Sequence, residues 1–364
     1  MQTSFSKVFS KEPGWYQGDF HAHTYCSDGA LSPHGLKELA ANHGLDFLSI
    51  TDHNIASAFD DFDESLDLLI IPGIEITLKE GHFNVFGFES IADQSKEYFQ
   101  DLMILPKNIR NHQHKNHIEL TDLMRRLNEA GLMIVLAHPL VWPWEWRDHD
   151  TEIITFDCIE LINDPTYPES VIDNPPVRRL WSAWLNAGYR TTGIGGTDFH
   201  TLIPKDDPRR IARLNLPLTY VYAQELSVKG ILEGLRQHRA YVSMGPQIEF
   251  LAIEEKNTYM MGDDLGLIQS KVLLSAKVEN CTGKAQALLI KNGKIISQIP
   301  VLDGKAEICW QVNPDDVKEC SWYRFDVIDD EDQGLAISNP IFFGPRLAPG
   351  RHPFGRFLGA YTKV

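Results

Sequence analysis

Histidines and carboxylates recur along roughly the first 200 residues of this chain in short clusters, each tied to an apolar run. His21 and His23 sit in GDFHAHT, Asp28 in the SDG turn that follows, and His53 in SITDHN. Glu75 lies in PGIEIT, His82 in EGHFNVFGF, His138 in IVLAHP, and Asp198 with His200 in GGTDFH. Taken singly, a histidine beside an apolar run is more often a satisfied core or surface residue than a ligand. Two at i and i+2 on a strand point the same way, however, which singles out His21 and His23. Neutral imidazoles and carboxylates suit Zn²⁺, Mn²⁺ or Fe²⁺. The five cysteines, Cys26, Cys158, Cys281, Cys309 and Cys320, show no CxxC spacing, so neither a thiolate site nor a disulfide framework is indicated. Nine donors exceed what one ion takes, and two or three divalent metals are implied. Asp28, Glu75 and Asp198 would partly neutralise them. Holding two ions about 3.5–4 Å apart around a shared hydroxide needs a bridging carboxylate, and Glu75 is the expected bridge.

Such donors need a scaffold that gathers them. Up to about residue 240, short apolar runs alternate with amphipathic helical patterns, as in a parallel sheet wrapped by helices. Candidate strands cover 19–23, 45–51, 68–77, 83–88, 132–138, 158–163 and 192–198. Ser32 before Pro33 is a helix start, followed by Leu36, Leu39, Ala40 and His43 at helical spacing. Leu120, Leu123, Met124, Leu127 and Ala130 repeat the pattern up to Gly131, and Ser227 caps a run through Val228, Ile231, Leu232 and Leu235. The clusters fall at strand ends, which converge on one face in barrels built of βα units.

Past Gly245-Pro246 the pattern becomes alternation, with Ala306, Ile308, Trp310 and Val312 on one face and Tyr323, Phe325 and Val327 on another. Asn292-Gly293 between two apolar runs signals a hairpin. An all-β, immunoglobulin-like sandwich of roughly 100 residues is expected. The chain divides into an α/β domain over 1–245, the sandwich over 246–345, and a Gly- and Pro-rich tail over 346–364 that packs or frays.

Hydrophobic residues at 43% and charged residues at 23% are ordinary globular composition. A formal charge of −16 disfavours an extended nucleic-acid partner but leaves room for a small anionic substrate met by local cations. The longest apolar runs, such as 132–137, fall well short of the roughly 18 residues of a membrane span. The first residues carry no leader-like apolar core, so a cytoplasmic protein with no membrane partner is the expectation.

HAHTYCSDG, ITDHN, GIEIT, AHP and GTDFH, in this order, closely resemble the motifs of the polymerase and histidinol phosphatase (PHP) family of metal-dependent phosphoesterases over about residues 15–245. The resemblance implies a distorted (β/α)7 barrel with a trinuclear centre. It places one metal on His21, His23, Glu75 and Asp198, a second on Glu75, His82 and His138, and a third on Asp28, His53 and His200. Where some members have a His in the third cluster, this chain has an Asp, which bears on the metal preferred there. Glu75, Asp198 and His200 are the residues expected to carry catalysis. WYQGDFHAHT, RAYVSMGP and WYRFDVIDDEDQGLAISNPIFF look like the carbaryl-hydrolase-like branch, whose members carry a β domain after the barrel.

The expected activity is hydrolysis of a small phosphorylated molecule by a metal-bridging hydroxide. Carbamate or carboxylic ester and amide hydrolysis, a nuclease activity and a non-catalytic metal-containing binding module are the alternatives. Loops would set specificity. Trp142, Trp144, Trp146 and Arg147 after His138 form either a packed aromatic loop or an aromatic wall with an anion contact at Arg147. Lys205, Arg209 and Arg210 are further candidate substrate contacts. His112, His114 and His117 read as a polar helical lid or surface segment, and Cys26 as a loop residue. Glu160 and Asn163 either orient ligand imidazoles or are structural.

Overall fold

The computed structural model describes residues 7–55, 66–88, 117–201 and 214–360. Strands β1 (Gly14–Asp19), β2 (Phe47–Ile50), β3 (Leu69–Leu78), β4 (Gly81–Phe86), β5 (Met133–Leu136), β6 (Cys158–Asn163) and β7 (Thr192–Gly196) are neighbours in that order. The run returns on itself, because Ala22 beyond β1 bridges Phe199 beyond β7 in parallel and His23 N–H donates to the Phe199 carbonyl at 2.8 Å. Helix α1 (Pro33–Asn42) joins β1 to β2, with the Ser32 hydroxyl accepting from Gly35 N–H as expected of a cap. Helix α2 (His117–Glu129) leads into β5, and α3 (Pro168–Asn186) joins β6 to β7.

Two features differ from the sequence expectation. The first strand ends at Asp19, so His21 and His23 lie in the segment beyond the ladder. The expected parallel order fails at β4, which is antiparallel to both β3 and β5. Only Lys79 and Glu80 separate β3 from β4, and two residues can close a hairpin but cannot carry the crossover that a parallel pair requires. The sheet is therefore mixed.

It also continues past residue 245. β8 (Leu218–Ala223) pairs antiparallel with β1, helix α4 (Val228–Arg236) follows with Ser227 as its cap, and β9 (Ala240–Ser243) pairs with both β8 and β17 (Gly334–Ser338). Beyond β17 lie β16 (Ser321–Ile328), β13 (Gln286–Lys291) and β14 (Lys294–Pro300), while β18 (Ile341–Phe343) pairs with β16 off this path, giving a 14-stranded sheet. A second sheet holds β10 (Gln247–Glu254), β11 (Asn257–Met260), β12 (Val272–Glu279) and β15 (Ala306–Val312). The two layers share a core in which Phe250, Leu274 and Val278 meet Leu289, Phe325 and Val327. Asn292 and Gly293 turn β13 into β14 with φ of 50° and 79°, the backbone that makes Asn-Gly a hairpin signal.

The alternation over Tyr323, Phe325 and Val327 is present, but the opposite face of β16 is buried too. There Trp322 joins Trp181 and Trp184 of α3 in a second core. Pro175 within α3 has no N–H for the Val171 carbonyl four residues back, and Gln333 Nε2 donates to that carbonyl at 2.8 Å. Within the C-terminal tail Phe354 is fully buried, and its N–H donates to the Thr151 carbonyl at 2.8 Å. Among the described residues no helix is long and apolar enough to cross a membrane.

Candidate metal centre

All nine sequence-selected donors come together. They form four overlapping groups, His21–His23–Asp198, His21–Glu75–His138, His53–Glu75–His82 and His23–Asp28–His53–His200, each with donor atoms within 4.8 Å of one another. The local structure explains the convergence. His21 and His23 leave the end of β1, His53 follows β2 and bridges to Glu75, His138 follows β5, and Asp198 and His200 follow β7. Glu75 lies inside β3 rather than at its end, and the reversal at Lys79-Glu80 sets His82 of β4 opposite Thr77. Glu75 and Thr77 share a strand face, so the antiparallel hairpin delivers His82 to the same end as the parallel strands. His138 and Asp198 adopt positive φ, 26° and 50°, a conformation that costs backbone energy in residues other than glycine and concentrates at functional sites.

Glu75 is the hub. Its Oε1 lies 2.9 Å from His82 Nδ1, 3.1 Å from His138 Nε2 and 3.3 Å from His21 Nε2. Its Oε2 lies 2.7 Å from His53 Nδ1 and 3.4 Å from His23 Nε2. Asp198 Oδ1 adds contacts to His23 at 3.0 Å and His21 at 3.3 Å, while Asp28 approaches His200 at 3.3 Å and His53 at 3.6 Å. The rings crowd face to face, His23 on His200 at 4.2 Å between centroids and His21 on His138 at 5.6 Å.

A shell of further residues aims these rings. Glu160 Oε1 meets His21 Nδ1 at 2.8 Å, its Oε2 accepts the His138 backbone N–H at 2.9 Å, and Asn163 Nδ2 donates to that oxygen at 2.9 Å. With Nδ1 donating to Glu160, His21 turns the lone pair of Nε2 toward the hub. Gly196 permits this approach, since a Cβ there would lie 2.6 Å from both Glu160 Oε1 and His21 Cβ. Three more participants lay outside the sequence-derived set. Asp19 accepts from the His21 N–H (3.0 Å) and the Thr197 N–H (3.1 Å). Asp52 accepts from Thr24 N–H and from the Thr24 and Ser27 hydroxyls at 2.6–2.7 Å. Thr77 Oγ1 meets His53 Nδ1 at 2.6 Å. Asp52 stands directly before His53 in TDHN and Asp19 two residues before His21 in GDFHAH, which is the signal that could have found them.

Electrostatics follow from burial opposed by pairing. Burial alone would raise Glu75, but His53, His21 and His82 hold it well below the usual carboxylate range. Burial pushes His53 and His200 down, yet the neighbouring carboxylates outweigh it and hold them at about 10 and about 9. His23, buried and beside His200 and His53, falls to about 3. Burial raises Asp19 to about 7.

The donor set fits divalent metal ions. Among the described residues, His21 Nε2, His23 Nδ1 and Nε2, Glu75 Oε2, His138 Nδ1 and Asp198 Oδ1 are buried without a hydrogen-bond partner. Several lie within ion-pair reach of each other but not in hydrogen-bond geometry. Leaving so many buried polar atoms unmatched is costly, and the four that lie together, His21 Nε2, His23 Nε2, Glu75 Oε2 and Asp198 Oδ1, offer the converging lone pairs that a cation requires.

The cluster opens into a cavity of about 340 Å³ lined by Asp28, His53, His82, His138, Asp198 and His200 together with Trp144, Tyr167, Asn163, Asp164, Ser170 and Val141. The aromatic loop divides its residues. Trp146 is buried against Phe83 and Phe156, Trp144 reaches the cavity beside Tyr167, and Trp142 is exposed. Arg147 is not among the lining residues: its guanidinium is held by Glu145 at 2.9–3.0 Å and by the Pro143 carbonyl at 2.8 Å. Lys205, Arg209, Arg210, His112 and His114 lie outside the described residues. A larger groove of about 790 Å³, bordered by Trp15, Tyr220 and Tyr241, holds none of the nine donors.

No protein-family model matches the chain. Over 70 residues, 18% of this chain, it is 43% identical to the 5′-3′ exoribonuclease Rnm of Escherichia coli strain K12. The match spans only 24% of that relative. Among solved structures, a two-domain protein of Bacteroides vulgatus containing a predicted PHP-like metal-dependent phosphoesterase aligns over 90% of this chain and 95% of its own, with 20% identity and a TM-score of 0.49. An amidohydrolase from Chromobacterium violaceum aligns over 52% of this chain and 88% of its own, with 17% identity and a TM-score of 0.32.

Proposed function

We propose that this protein is a metal-dependent hydrolase of the PHP family, most specifically a phosphoesterase acting on a small phosphorylated molecule. The observation that carries the proposal is the Glu75 carboxylate, buried within 2.7–3.4 Å of five imidazoles while donor atoms around it lack partners. Divalent ions held there supply Lewis acidity and lower the pKa of water toward neutrality. The chain's own residues do the rest. Glu75, Asp198 and Asp28 balance charge, Glu160 fixes the His21 tautomer and ties down the His138 backbone, and Asp19 and Asp52 brace the loops that carry His21, His23 and Asp28. Divalent ions held there would offer an anionic substrate the positive charge that the cavity's side chains do not supply.

The fold we assign is a distorted (β/α)7 barrel over 1–245, in keeping with β1–β7 and the Ala22–Phe199 bridge, followed by an immunoglobulin-like sandwich over 246–345. The carbaryl-hydrolase-like branch and a cytoplasmic setting belong to the same proposal, and five free thiols accord with a reducing compartment. Elemental analysis and paired turnover of an aryl phosphate and an aryl carbamate test it. Bound Zn, Mn or Fe with preferential phosphate hydrolysis is expected; chelated protein with undiminished turnover would overturn it. Faster carbamate hydrolysis would instead select the amide and ester alternative. The 70-residue match to an exoribonuclease favours a nuclease as second reading, and single-strand cleavage that falls steeply with salt would establish it.

A further inference from the structure

Helix α3 begins at the metal cavity, and it begins bare. Its N-cap residue, Tyr167, makes no side-chain capping bond, and Pro168 in the first turn has no N–H. Val171 N–H donates to the Tyr167 carbonyl at 3.2 Å and opens the helical ladder. The amides of Glu169 and Ser170 precede that ladder, at the positive end of a 19-residue helix.

A second, independent observation sits on the same turn. Ser170 lines the cavity, is 1% exposed, and its Oγ has no hydrogen-bond partner among the described residues. A buried hydroxyl without a partner is costly, and Ser170 belongs to the wall of the space that the metal cluster shares. Two carboxylates beside this turn have partners. Asp164 Oδ1 accepts from the Thr166 N–H at 3.1 Å and the Thr166 hydroxyl at 2.5 Å, and Glu169 engages the Tyr167 hydroxyl.

We propose that the first turn of α3 is the oxyanion subsite of this cavity: the Ser170 hydroxyl and the Glu169 and Ser170 amides hold a phosphate-type group of the substrate. This rests on the metallohydrolase proposal and adds to it a specificity-determining residue. Ser170 shares the wall of this cavity of about 340 Å³ with His53, His82, His138 and His200, so a group held by Ser170 stays within one substrate's length of the histidines. Helix N-termini hold oxyanions through their free amides, and a hydroxyl donating to a charged oxygen forms one of the stronger hydrogen bonds.

The test uses the full chain loaded with Mn²⁺ and inorganic phosphate as the probe. Phosphate binding is read by calorimetry and as inhibition of aryl phosphate hydrolysis, with a neutral aryl acetate bearing the same leaving group as comparison. Ser170→Ala should weaken phosphate binding about tenfold and raise the KM for aryl phosphate by a similar factor, several times more than for the acetate. Ser170→Gly should do the same, which separates the hydroxyl from packing of the alanine methyl, and thermal melts check the fold of both. Phosphate affinity unchanged within about twofold in both variants, or wild-type protein that binds no phosphate, overturns the subsite. If wild type hydrolyses neither substrate yet binds phosphate in a Ser170-dependent way, the hydrolase proposal fails and the subsite stands.

Discussion

Two clusters of buried charge stand in contrast, one around Glu75 beside the cavity that Ser170 lines, and one around Arg324 against α3. In the second, the charges answer one another. Asp326 accepts from Arg324 Nε and Nη2 at 2.8 and 2.9 Å, Arg324 Nη1 donates to Ser182 Oγ at 3.2 Å, and Arg178 spans Asp326 at 3.7 Å and Asp332 at 2.5 Å. The Arg324 guanidinium also lies over Trp181 at 4.8 Å. Among the described residues only Arg178 Nε in this group lacks a partner. Around Glu75 the unmatched atoms are many and converge. The chemistry of the side chains explains the difference. A guanidinium carries only donors and closes on a carboxylate, whereas an imidazole can present a lone pair and be completed by a cation. Burial alone therefore does not distinguish a structural cluster from a functional one; the direction of the unmatched atoms does.

This contrast can be broken most directly at its two centres. Glu75→Gln should lower metal content and turnover together, by on the order of a thousandfold in rate, measured by elemental analysis beside hydrolysis; near-normal turnover at full metal content would contradict the hub assignment. Asp326→Ala should leave the buried Arg324 guanidinium without its carboxylate, while Arg178 keeps Asp332, and cost about 3–5 kcal/mol in denaturant unfolding, while the folded fraction keeps its metal. A smaller effect belongs to the brace. Glu160→Gln should weaken metal affinity about 10- to 100-fold in a competition titration with a chelator, with little change in stability.

The smallest effect concerns protons. In the metal-free chain His53 and His200 have pKa values raised to about 10 and about 9. A raised histidine pKa adds stability that is fully present below the unfolded value of about 6.5 and is lost as pH rises through the folded one. Metal-free protein should thus lose stability between about pH 7 and pH 10. Loading with metal at pH 7 should release protons from the ligand histidines whose pKa is raised, His21, His53, His138 and His200, detectable by calorimetry in buffers of different ionisation enthalpy. Arg324 and its partners should contribute nothing to either signal, since arginine keeps its proton throughout.

Much of this was legible before any coordinates. Ser32 and Ser227 cap helices as their neighbours suggested, and Asn292-Gly293 turns a hairpin. All nine donors chosen by type and position meet in one cluster. What escaped was direction. The segment Phe83–Phe88 reads as one more strand of a parallel set, because an apolar run carries no sign of its polarity; the two-residue connection at Lys79-Glu80 is what reverses it. Arg147 reads equally as a surface residue of a packed aromatic loop or as an anion contact, and Glu145 two residues earlier takes its guanidinium. The second buried face of β16 was hidden because Arg324 and Asp326 look like a solvated edge until α3 covers them.

The sequence by itself determined the donors, their order and the local signals that start helices and turn strands, since each depends on residues within about four positions of one another. Tertiary structure alone decided that β4 would run antiparallel to its neighbours, that Glu160 would steady His21 from 139 positions away, and that Ser170 would line the same cavity. Those outcomes depend on how far apart in the chain two atoms can be and still touch, which packing sets and local pattern does not.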